Sequence, residues 1–168
     1  MDSACPGCGL VLPETGGPQH AYIGASPACW ALYGQVLARD YSEYGMPDEH
    51  KFIVDAYAVQ HPGENGPQAR QSVGLHLLRL CLMLERDAPS RHATALMTRA
   101  VGNGLHIPWF DPVTPLGTIT VADVLEAADK QAHIAAAREW AEDVWSAWSA
   151  QQETVRRWCD ALAAQLPD

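Results

Sequence analysis

From residue 27 onward the apolar positions of the chain recur with a helical period. Trp30, Tyr33, Leu37 and Tyr41 stand at i, i+3, i+7 and i+11, the spacing of one helix face. Ser26-Pro27 just before them is a start signal, with serine as N-cap and proline at the first helical position, where no amide hydrogen is needed. A first helix is predicted over about 27–41. The second opens at Pro47-Asp48-Glu49, whose acids complement the helix dipole, and runs to about His61, where Pro62-Gly63 stops it. Pro67 starts a third helix that reaches about Arg86. Between Leu75 and Leu84 it is apolar nearly all round, interrupted by His76 and Arg79, and such a helix belongs at the centre of a bundle. Pro89-Ser90 restarts the chain into a fourth helix ending near Val101-Gly102.

The rest of the pattern is less regular. Residues 1–25 carry frequent Gly and Pro and no helical period. Residues 102–117 form a long segment without period, holding His106, Trp109, Phe110 and three prolines; a loop of this length is expected either to be functional or to be pinned across the core by its aromatics. Thr120-Val121-Ala122-Asp123 resembles a capping box with Asp in place of Glu. The remaining chain is predicted helical to about Gln165, with a break near Asp129; Trp145, Trp148, Val155 and Cys159 mark one apolar face, and Trp140, Val144, Trp148 and Val155 overlap it. The expected fold is all-α: a five- to six-helix bundle with an irregular N-terminal zinc knuckle. It is read as a single domain over 1–168, with 1–25 the metal-binding segment and 26–168 the bundle.

Composition narrows the function. The chain has 168 residues, 48% of them hydrophobic, enough to bury a core without staples. Twenty acids against 11 Lys and Arg leave a net charge of −9, which argues against a nucleic-acid partner, since phosphate contacts need clustered bases. No apolar run reaches the ~18 residues of a membrane span, and no secretory leader is apparent. Five cysteines without framework spacing fit a reducing cytoplasm better than secretion.

The candidate chemistry begins at Cys5-Pro6-Gly7-Cys8-Gly9. Two thiols at this spacing reach one zinc ion if the backbone between them turns sharply. The same spacing occurs in redox dithiols, but those have a strand before the pair and a helix opening on it. Here only four residues precede Cys5, and Leu10-Val11-Leu12-Pro13 follows. Two further ligands must come from elsewhere. His20 and Cys29 are the nearest, and Cys29 sits in the first turn of a helix, where free amides favour a thiolate. The expected set is Cys5, Cys8, His20 and Cys29, with His61 or His76 as alternative ligands. Against it stands the plainer reading of Cys29 as a small buried hydrophobe and His20 as a loop residue.

A second polar group lies on the next two helices. His50, Val54, Tyr57 and His61 share a stripe, and Asp55, Ser72 and His76 lie close by. A short loop makes the two helices antiparallel neighbours, which would bring His61 and His76 together. Asp55, His61 and His76 are therefore the candidate catalytic residues; the alternative is a hydrogen-bond network within the core. No nucleotide-binding glycine loop, His-Glu-x-x-His helix or Gly-x-Ser-x-Gly elbow is present.

Several stretches together resemble one family: Cys-Pro-Gly-Cys-Gly at 5–9, His-x-Tyr at 20–22, Ala-Ser-Pro-Ala-Cys-Trp at 25–30, Val-Asp-Ala-Tyr-Ala-Val-Gln-His-Pro-Gly at 54–63, Gln-Ser-Val at 71–73 with His76, and Val-Trp-Ser-Ala-Trp at 144–148. The chain is similar to a family of uncharacterised bacterial proteins defined as a domain of unknown function. The resemblance covers nearly the whole chain and implies no activity. Two functions are thus expected in competition. One is a zinc-stabilised binding or interaction protein with a protein or small-molecule partner. The other is a small metal-dependent enzyme, hydrolase-like, in which His61 and His76 bind metal or move protons and Asp55 orients a ring or acts as base. A closed four-ligand site favours the first, an open position the second.

Overall fold

The computed structural model describes residues 1–164. Its helices are α1 (Pro27–Ser42), α2 (His50–Gln60), α3 (Pro67–Leu84), α4 (Ser90–Gly102), α5 (Val121–Leu125), α6 (Lys130–Ala147) and α7 (Gln152–Ala163). A two-stranded antiparallel hairpin, β1 (Asp2–Ala4) and β2 (Val11–Pro13), precedes them, with Ser3 opposite Leu12. The fold is all-α apart from this hairpin, which the sequence pattern did not announce because each strand has only three residues. No helix among the described residues is long and apolar enough to cross a membrane.

The start signals of α1, α3 and α5 work as expected, whereas α2 begins only at His50, after Pro47-Asp48-Glu49, with no acid in its first turn. The Ser26 hydroxyl accepts the Cys29 amide at 3.2 Å, and Thr120 and Asp123 form a capping box, the Thr120 amide donating to the aspartate at 2.7 Å. The break near Asp129 is real: Asp129 caps α6 through the Ala132 amide at 2.9 Å. A second break at Trp148, followed by a 3-10 turn at Ser149–Gln151, was not foreseen, since neither Gly nor Pro marks it. The expected helix end near Gln165 lies outside the described residues.

The centre of the bundle is shared by α3, whose residues 77–83 are all buried as the hydropathy of 75–84 suggested and which packs against α2, α4, α6 and α7, and by α2. Nine of the eleven residues of α2 are buried, and it packs against α6, α3 and α1. Its polar side chains hid this role, because hydropathy counts a buried His, Asp or Gln as exposed unless its partner is known. Each has a partner here. His50 pairs with Asp40 at 2.7 Å, and the other Asp40 oxygen meets His133 Nε2 at 2.8 Å, so one buried carboxylate of α1 joins α2 to α6. Gln60 donates to the carbonyls of Leu116 at 3.0 Å and Ile119 at 2.8 Å and accepts the indole N–H of Trp140 at 3.1 Å. The first two bonds pin the end of the long segment over the core through its backbone, while its aromatic Phe110 lies partly buried against Trp158, with ring centroids 5.8 Å apart. The Trp148 indole donates to the Val59 carbonyl at 3.1 Å, so both of these large rings are buried without an orphaned N–H.

Candidate metal centre

Three chain segments converge at the N-terminal end of α1. The hairpin supplies Cys5 and Cys8: the Cys5 amide donates to the Leu10 carbonyl and the Gly9 amide to the Cys5 carbonyl, both at 2.9 Å, which folds the pair into a tight knuckle. The first turn of α1 supplies Cys29. His61, the first residue beyond α2, supplies an imidazole. The ligand atoms of Cys5, Cys8, Cys29 and His61 all lie within 4.8 Å of one another. Cys5, Cys29 and His61 are buried and Cys8 is half-buried.

The spacing can be compared with what a metal needs. Metal–sulfur bonds of about 2.3 Å and metal–nitrogen bonds of about 2.0 Å in a tetrahedron place sulfurs about 3.8 Å apart and sulfur about 3.5 Å from nitrogen. The Cys8 and Cys29 sulfurs are 3.9 Å apart, and the Cys29 sulfur is 3.5 Å from His61 Nε2. The surrounding bonds also suit anionic sulfur. The Ser26 amide points at the Cys5 sulfur at 3.4 Å and the Tyr57 hydroxyl donates to the Cys29 sulfur at 3.5 Å. His61 Nδ1 lies 2.8 Å from the Tyr57 carbonyl, an outer contact of the kind that fixes a metal-binding ring.

Gly7 shows how closely the parts fit. A Cβ built on it would run into the His61 ring and come 2.8 Å from the Gln60 carbonyl oxygen. Gly7 therefore lets the ligand imidazole approach the knuckle backbone. Gly63 ends the same segment with φ +67°, and a Cβ there would stand 2.7 Å from the Tyr22 carbonyl.

Without metal, the thiols share protons unequally. Hydrogen bonds from Cys29 and then Cys8 hold the Cys5 thiol far below its ordinary pKa, whereas the bonds to Cys5 and Cys8, with burial, push Cys29 far above. For His61, burial is the largest influence and opposes the charge, yet bonds to Cys5 and Cys8 and their negative field outweigh it and raise the ring to about 9. Burial, with the Cys29 sulfur beside it, likewise raises Tyr57 far above an ordinary phenol.

The structure brings together Cys5, Cys8 and Cys29 of the expected set, and His61, one of the two alternative ligands, takes the place expected for His20. His20 stands outside the cluster: its ring packs on Tyr22 and Trp30, with centroids 4.3 and 5.3 Å away. His61 sits at a helix end just before Pro-Gly, the one signal that set it apart in the sequence. The expected meeting of His61 with His76 does not occur, because the two rings serve different clusters. His76 Nδ1 lies 2.6 Å from Asp55 Oδ1. Asp55, fully buried, is also gripped by Arg79, with bonds of 2.6 to 3.1 Å from Nη2 and Nε, and Arg79 reaches on to Thr94 at 3.2 Å. His50, on the same predicted stripe, belongs to the Asp40 pair at the other end of α2. Cys81 and Cys159 are buried on α3 and α7, away from the metal cluster.

An all-α bundle carrying a three-cysteine, one-histidine cluster of metal-ligand geometry defines the class of this protein. The chain belongs to the family of unknown function DUF5946, whose model matches residues 3–149 and so includes all four cluster residues. No curated protein and no solved structure matches the chain.

Proposed function

We propose that this is a zinc-stabilised binding or interaction protein, in which Cys5, Cys8, Cys29 and His61 hold one zinc ion. The observation that carries the reading is the number and spacing of the ligand atoms. Four side chains, soft sulfur with one imidazole, bring their ligand atoms within 4.8 Å of one another, with the Cys8–Cys29 and Cys29–His61 separations close to tetrahedral values, and such a set suits zinc. A full protein set leaves no position for a reacting water, and that separates a structural ion from a catalytic one. Bound there, zinc supplies a cross-link between the hairpin, the start of α1 and the end of α2. Three thiolates call for a reducing compartment, in keeping with a cytoplasmic protein. The hydrolase-like alternative, in which His61 and His76 bind metal or move protons and Asp55 orients a ring or acts as base, has less support, because Asp55 and His76 Nδ1 lie with Arg79 in a cluster separate from the thiols. Elemental analysis of protein purified without added metal tests the proposal. About one zinc per chain is expected, with a large fall in melting temperature on chelation; metal-free protein whose melting is unchanged by chelator would overturn it.

A further inference from the structure

On the far side of Tyr57 from the metal cluster lies a cleft of about 140 Å³. It is walled by His20, Trp30, Tyr33, Tyr57, Ser72 and His76, and a second hollow of about 190 Å³ shares Tyr22, Ser72 and His76 with it. The aromatic wall is a rigid stack. Tyr33 lies on Tyr57 with centroids 3.9 Å apart and planes 12° from parallel, and the opposite face of Tyr57 lies on His61 at 4.1 Å. Trp30 tilts against both tyrosines at 5.4 and 5.7 Å. The ligand imidazole of the metal centre thus backs the wall of the cleft.

The polar side of the cleft is His76. Its Nδ1–H is taken by Asp55, itself clamped by Arg79, so the ring is fixed and Nε2 is the nitrogen left over. No described residue hydrogen-bonds that nitrogen, and the side chain is 21% exposed. Ser72 stands one turn earlier on α3, and neither its hydroxyl nor that of Tyr33 has a hydrogen-bond partner among the described residues. No Lys, Arg, Asp or Glu lines the cleft, and Arg79 offsets the charge of Asp55 behind it. Both facts favour a neutral ligand over an anion or a cation.

We propose that this cleft binds a neutral single-ring aromatic alcohol of the phenol class, its ring against Trp30 and Tyr33 and its hydroxyl donating to His76 Nε2. Size supports one ring, since an apolar cavity of about 150 Å³ holds a benzene molecule. Aromatic walls favour an aromatic guest through offset and edge contacts. A part-buried acceptor of fixed orientation favours a guest with a donor, because one without it leaves the acceptor desolvated and unpaired. The inference deepens the binding reading above and depends on the metal site only through the seat of His61 beneath the stack.

The test is a titration of the purified protein with phenol and, separately, with toluene, which has the same shape and no donor. It is followed by the nitrogen NMR signals of the histidine rings, above the ordinary imidazole range. Phenol is expected to shift the His76 Nε2 signal and to bind at least about tenfold more tightly than toluene, the discrimination expected of one well-placed hydrogen bond. His76→Ala should erase the preference. The wild-type comparison stands by itself should that variant fold poorly. Equal binding of the two probes, binding without a His76 shift, or no binding of either overturns the proposal. Zinc content of the same samples separates the two readings. Zinc-loaded protein that does not discriminate sinks the cleft alone; zinc-free protein that does discriminate sinks the zinc site alone.

Discussion

The Nδ1 atom of His61 lies 2.8 Å from the carbonyl oxygen of Tyr57, and that contact decides which nitrogen faces the thiols. In the neutral ring Nδ1 carries the hydrogen, and Nε2 turns its lone pair toward Cys29. The same residue, Tyr57, sends its hydroxyl to the Cys29 sulfur. One residue of α2 therefore orients two members of the metal cluster, one through its backbone and one through its side chain.

Loss of any cluster side chain should release the metal. Cys8→Ser and His61→Ala are expected to purify with far less than about one zinc per chain and to melt well below wild type, because the ion binds the folded chain and hardly the unfolded one. His20→Ala should keep its zinc. Elemental analysis beside thermal melting checks all three, and a zinc-free His20→Ala protein would place His20 in the coordination sphere.

Gly7→Ala tests the close approach of the His61 ring to the knuckle backbone. The added methyl has no room beside the ring and the Gln60 carbonyl, so either the knuckle or the imidazole must move. We expect metal affinity to fall at least about tenfold, since ligand placement by surrounding groups is worth that much. Competition with a chromogenic chelator measures it; unchanged affinity would show that the knuckle yields freely.

The metal-free and metal-loaded forms should respond to pH with opposite signs. In the metal-free protein burial opposes the charge on His61, but the thiols beside it outweigh burial and raise its pKa to about 9, well above that of an ordinary imidazole. The folded state therefore holds that proton more tightly than the unfolded state. Its contribution to stability is fully present below the unfolded value and is lost as pH rises through about 9, on the order of 3 kcal/mol from this group. The loaded protein must shed the His61 and thiol protons to bind metal, so acid releases the ion and alkali does not. Urea melts of the chelated and zinc-loaded forms across this range check the crossing; parallel profiles would contradict it.

Asp55→Asn and His76→Ala should differ in cost. The first leaves Arg79, buried, facing a neutral amide, and breaking one side of such a pair costs about 3–5 kcal/mol. The second leaves the Arg79–Asp55 bonds intact and removes a part-exposed ring, for roughly 1–2 kcal/mol. Both should keep zinc. Chemical denaturation gives the order, and an early-melting His76→Ala protein with its metal retained would make His76 a main support of the core.

Gln60→Leu probes the tie between α2, α6 and the long segment. It removes three hydrogen bonds at once and strands the Leu116 and Ile119 carbonyls and the Trp140 indole N–H. At about 1–3 kcal/mol for each buried group left unpaired, a loss of several kcal/mol is expected. Amide exchange should quicken first around 116–119. A near-neutral effect would mean that water takes over these partners.

Local chemistry was legible in the sequence wherever neighbouring residues decide it. Ser26-Pro27 and the Thr120–Asp123 box start helices because the cap and the amides it serves lie within one turn. Cys5 and Cys8 share a turn for the same reason, and Cys29 could be recognised by its place in the first turn of α1. Tertiary structure alone decided that His61 joins the thiols, that His76 pairs with Asp55 instead, and that the polar side chains of α2 lie in the core beside those of α3. Residues 29 and 61 meet because the end of one helix packs beside the start of another. That depends on how α2 sits against α1, α3 and α6, and no run of adjacent residues records it. The polar side chains of α2 are buried because each meets a partner from a distant segment, Asp40 for His50, Arg79 for Asp55 and the 116–119 carbonyls for Gln60. A free energy shared between two segments cannot be read from either one.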